Sequence, residues 1–92
     1  MRAQDLPRFE SVEEVANAVA EVRDELGLKD HGTEAQELTS ALERFYTTAS
    51  EALGEIREAL RETRGAWQTL SPKYQRVAEH SIEEATRLLR MI

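Results

Sequence analysis

An apolar stripe at helical spacing runs through the middle third of the chain. Leu38, Leu42, Phe45, Ala49, Leu53, Ile56, Leu60 and Thr63 fall three or four residues apart. That spacing lines one face of an α-helix, whereas a half-buried strand alternates its faces at every residue. No stretch of strand length alternates apolar and polar residues. Ala, Leu, Glu and Arg dominate, and these lose little side-chain freedom in a helix. The sequence therefore predicts an all-α fold.

Three antiparallel helices are expected, over about residues 12–26, 34–64 and 72–91. Ser11 and Glu14 form a capping box before the first, whose apolar positions are Val12, Val15, Val19, Val22 and Leu26. Gly27 is expected to end it in a positive-φ conformation. Thr33 is expected to cap the second helix, with Gln36 at the capping-box position. The stripe keeps its phase across Gly54, so residues 34–64 read as one rod. Gly54 then marks a close backbone approach or a mild bend, at a cost of about 1 kcal/mol against Ala. Gly65 ends that helix. Ser71 and Pro72, at N-cap and N1, start the third, with Tyr74, Val77, Ala78, Ile82, Ala85, Leu88, Leu89 and Ile92 on its apolar face. That face reaches the last residue, so the C-terminal end is expected to be docked. Residues 1–10 read as an N-terminal arm ordered by Phe9, and residues 11–92 as a single helical domain.

At 1.5 Å per residue the helices measure about 22, 46 and 30 Å. The central one is then too long for either neighbour to cover, which predicts an elongated molecule with a thin core. A small chain without disulfides or metal gains stability by association. The expected assembly is a helical-bundle dimer, a homodimer or a pairing with another helical protein, built along the seam of Leu38, Leu42, Phe45, Leu53, Ile56 and Leu60. Arg57, Arg61 and Arg64 flank this seam and read as a solvated face with weak ion pairs, or alternatively as charges that would select an acidic partner surface. Trp67, in the turn before the third helix, reads as a plug closing the end of the helix pair with Leu70 and Tyr74, or alternatively as an interface anchor.

The 92 residues carry 12 basic and 18 acidic side chains and no cysteine. A formal charge of −6 argues against nucleic acid and against a polybasic membrane anchor. Without cysteine there is no disulfide framework, thiolate metal site or thiol nucleophile. The first seven residues contain no apolar core of a signal peptide, and no apolar run is long enough to span a bilayer. A cytoplasmic location is expected.

Chemistry is sparsely represented. His80 reads as facing outward beside Glu79, Glu83 and Glu84, without the Glu-x-x-His pattern of a bundle metal site. His31 reads as a connector residue. Only three residues separate Arg76 from His80, too few for the Arg-His ribonuclease motif of HEPN domains. Phosphate-binding glycine loops and nucleophilic triads are missing. No enzyme activity, metal, cofactor or small-molecule substrate is expected. The expected function is that of an adaptor, an assembly or chaperone-like subunit, or an antitoxin-like inhibitor.

Gly65-Ala66-Trp67, set between a long amphipathic helix and a second helix, resembles the turn of WXG100 proteins. The resemblance spans about residues 35–92. It implies, as an alternative, a small dimerising helical protein exported without a leader by a type VII secretion system. The chain departs from that pattern in three ways: Gln68-Thr69 follows the tryptophan, neither Tyr46 nor Tyr74 has an acidic residue four positions later, and an extra N-terminal helix is expected.

Overall fold

The hydroxyl of Ser11 accepts the backbone N–H of Glu14 (3.3 Å), which starts α1, Val12–Leu28. The structure, a computed structural model, describes residues 6–92. The arm expected over 1–10 is described from Leu6 onward, and residues 1–5 lie outside the described part.

α1 runs through Gly27 instead of stopping there. The left-handed residue is Asp30 (φ 66°), and the His31 N–H reaches back to the Leu26 carbonyl at 2.9 Å. This is the six-to-one bond of a glycine-type helix ending, formed here by an aspartate, one of the few side chains that tolerate positive φ. Gly27 lies inside α1, and a Cβ there would make an ordinary contact with the Ala35 Cβ of α2 at 3.9 Å.

The central rod is corrected. Residues 34–64 form two helices, α2, Gly32–Glu43, and α3, Ala49–Glu62. α2 starts ahead of Thr33, with His31 at its N-cap and no side-chain capping bond. The break falls at Arg44–Thr48, and α3 runs through Gly54 without interruption. Its cause is local. The Thr48 hydroxyl accepts the Glu51 N–H (3.0 Å), while the Glu51 carboxylate accepts the Thr47 N–H (3.1 Å). These bonds satisfy donors that a new helix start leaves open. The Tyr46 hydroxyl donates to the Ala41 carbonyl (2.7 Å) and ties the turn to the end of α2. Desolvation holds the Tyr46 phenol above its ordinary pKa.

A 3-10 helix, Arg64–Thr69, follows α3 and contains the Gly65-Ala66-Trp67 segment. α4 spans Pro72–Met91, with Ser71 at the N-cap and Pro72 in the first turn. The described residues thus form four α-helices and one 3-10 helix, not three helices.

α1 packs on α2 and α4, and α3 packs on α4 and α2. Leu26, Leu38, Leu53, Leu60, Val15, Val19 and Val22 are fully enclosed between them. The radius of gyration is 12.5 Å, close to the roughly 12 Å of a compact domain of this length. The expected elongated shape is therefore corrected. Folding the rod back at Arg44–Thr48 lets the chain's own helices cover the stripe, which removes the premise from which a seam-to-seam dimer was expected. The end of α4 differs from expectation too: Leu88 is buried, but Met91 and Ile92 stand 70% and 69% exposed.

Candidate functional site

The fold turns most of the side chains expected to form an intermolecular seam into its own core. Leu38, Leu53, Ile56 and Leu60 belong to the chain's own core, and Leu42 packs half-buried against it. Phe45 is excluded, because it falls in the turn between α2 and α3 and is 88% exposed.

The three arginines have different surroundings. Arg57 joins α3 to α4 by donating from Nη1 to the Thr86 hydroxyl (3.2 Å). Its Nε is buried without a hydrogen-bond partner, 3.6 Å from the Glu58 carboxylate. Arg61 pairs with Glu58 at 3.1 Å on an exposed face. Arg64 lies over the Trp67 ring at 5.2 Å. Trp67 itself is buried, and its indole N–H donates to the Thr63 hydroxyl (3.0 Å), which donates to the Leu60 carbonyl (2.7 Å). This chain of bonds fixes the tryptophan inside the fold, next to the turn that it closes.

Two surfaces remain for recognition. The first is the end of the bundle where α1 and α3 begin and α4 finishes. A groove of about 330 Å³ opens there, walled by Val12, Ala49, Leu53, Leu88, Met91 and Ile92. Phe45 lies in the turn that leads into Ala49, one of the groove's walls.

The second lies along α4, under the arm. The Glu84 carboxylate accepts the Phe9 N–H (2.6 Å), and Arg87 donates to the Phe9 carbonyl. Arg87 and Glu84 also pair with each other at 2.8 Å. The Pro7 carbonyl accepts from His80 Nε2 (2.6 Å), and the Phe9 ring meets the His80 ring edge-on at 5.1 Å. His80 is therefore half-covered by the arm, where an outward-facing residue was expected. Glu84 is only 7% exposed. The hydrogen bond from Arg87 holds its carboxyl below the ordinary glutamate range, against burial, which pushes it up; the Phe9 N–H lowers it further.

Comparison with protein-family models, curated proteins and solved structures gives no match to this chain. Its surfaces must be read from their own chemistry. Among the described residues no group of three or more His, Cys, Asp or Glu stands together as a metal site would require, and no helix is long and apolar enough to cross a membrane. His31 occupies the N-cap position of α2, with Nδ1 3.7 Å from the Glu34 carboxylate.

The pairing of Glu84 and Arg87 with the arm was missed from sequence, although a signal existed. Glu84 sits seven residues after Val77 and four before Leu88, on the apolar side of α4. A carboxylate at that register needs a partner. Arg87, one turn on, supplies the charge, and Phe9 the backbone donor.

Proposed function

We propose that this chain is a non-enzymatic helical interaction module that pairs with a second copy through the end of the bundle carrying Phe45. The single observation behind this reading is that three of the exposed large apolar side chains, Phe45, Met91 and Ile92, belong to the segments that lead into or wall the groove beside Ala49, whereas exposed Leu28 lines a different hollow at the end of α1. A scattered exposed apolar residue needs no explanation, but a cluster beside an apolar groove does. Phe45 is a knob, and the groove walled by Leu53, Leu88 and Ile92 is a hole of fitting chemistry. Because knob and hole share one end, a two-fold axis lets each copy fill the other's groove, and the contact closes on itself.

This surface replaces the long seam as the proposed contact, since the seam leucines are engaged within the chain. Two copies of charge −6 repel, and salt screens that repulsion over a Debye length of about 10 Å at 0.1 M. Light scattering on the purified chain should therefore give a mass that rises from one copy to two with concentration, at lower concentration when salt is added. Phe45→Asp should stay at the mass of one copy with unchanged helicity, because Phe45 contributes little to the fold. A wild-type mass of one copy at every concentration and salt level would refute the reading.

A further inference from the structure

We infer that the groove beneath the arm, between α1 and α4, is a docking site for a peptide strand of a partner protein. The strand would carry an aliphatic and an aromatic side chain three positions apart, and the chain's own Leu6–Glu10 segment is the resident occupant of the site. This surface is separate from the Phe45 end, and the inference does not depend on it.

The first reason is the way the arm is held. Side chains of α4 grip its backbone at both groups of one residue and at the carbonyl of another: Glu84 takes the Phe9 N–H, Arg87 the Phe9 carbonyl, and His80 the Pro7 carbonyl. Main-chain bonds of this kind hold a peptide segment whatever its sequence, and the pockets for its side chains select among segments. The second reason is the cost of the grip. A nearly buried carboxylate is expensive to desolvate unless it is bonded, and two of Glu84's interactions, with Arg87 and with the arm, offset that expense. A helical bundle needs neither group to fill its core.

The third reason is fit. The arm fills its groove incompletely. About 340 Å³ remains open beside Leu6 and Phe9, bounded by Asn17, Ala18, Lys73 and Val77. Leu6 is 37% exposed, so the first anchor is only partly sheltered. A strand with a larger side chain at that position would bury more apolar area than the resident does. Glu14 and Glu21 on the α1 wall favour a basic residue between the anchors, as Arg8 is in the arm. The arm competes as a tethered ligand at high effective concentration, so an outside strand gains access chiefly by being the better occupant.

The probe is a fluorescent peptide, Leu-Pro-Arg-Phe-Glu-Ser-Val, and a version with Phe in its first position. Fluorescence anisotropy with the full-length Phe9→Ser chain should give saturable binding. The Phe-first peptide should bind more tightly, and the wild-type chain at least about tenfold more weakly, because its own arm competes. Adding Glu84→Ala and Arg87→Ala together to Phe9→Ser should abolish binding while circular dichroism stays helical. A folded Phe9→Ser chain that does not bind, or one that binds equally well without Glu84 and Arg87, overturns the inference. If Phe9→Ser fails to fold, the wild-type chain decides. Excess Phe-first peptide should speed hydrogen exchange at the Phe9 amide by releasing it from Glu84, and an unchanged rate overturns the inference.

Discussion

Gly54 lies in the interior of α3, and a Cβ at that position would meet nothing within 4 Å. The glycine therefore carries the backbone-entropy cost of its residue type without any packing return. Gly54→Ala should raise stability by about 1 kcal/mol and the melting temperature by roughly 4–8 °C, as calorimetry can measure. No effect, or a loss, would mean that α3 is not a regular helix there. Glu84 makes the opposite kind of residue-scale contribution. Its carboxyl is held below the ordinary range, so it contributes stability above its unfolded pKa of about 4.3, and that contribution is lost as pH falls through the lower folded value. On acidification below about pH 4.3 the Phe9 amide should lose protection from hydrogen exchange. Glu84→Gln should flatten the dependence of the melting temperature on pH over that range. An equal slope in wild type and variant would place the titration elsewhere.

At the scale of the helix, the start of α3 has the most to say about the fold. Thr48→Ala removes the oxygen that accepts the Glu51 N–H and should cost about 1 kcal/mol in denaturant unfolding. The same residues explain what was legible in the sequence. The helical character of 34–64 was readable from its stripe, and so were the starts of α1 at Ser11 and α4 at Ser71. The break was not read, because the spacing runs on through Phe45 and Ala49, which the turn leaves exposed, to Leu53, which meets the same core as Leu38 from a separate helix. A stripe reports which residues are buried together, not whether the backbone between them is continuous. The capping pattern Thr48-x-x-Glu51 after Phe45-Tyr46-Thr47, a run of weak helix formers, marked the break. The arm site was legible only in the misplaced polarity of Glu84. Its partner Phe9 lies 75 residues away, a pairing that no local pattern encodes. The C-terminal end misled for another reason: periodicity gave Ile92 the right face, but no helix extends far enough to cover it.

For the whole molecule, the short turn changes the balance between packing and association. With one continuous rod the chain would have needed a partner simply to cover its stripe. With the turn it covers that stripe alone, and the surfaces left over are small, local and chemically distinct. One is a blunt apolar end. The other is a slot already holding a strand of the chain itself. Association becomes optional for folding, so the exposed residues of either surface can be altered without loss of the core.

The exposed Arg44–Thr48 crossing also makes the protein divisible. α1 rests on α3 and α4, and α2 on α3, so the core is shared across the gap between the first pair of helices and the second. Brief chymotrypsin treatment should cut after Phe45 and leave two fragments that travel together on a native gel and keep the emission of buried Trp67. Separately produced halves should regain that emission when mixed. A backbone opened at one bend would then act as a pair of complementary pieces, each incomplete until it finds the other.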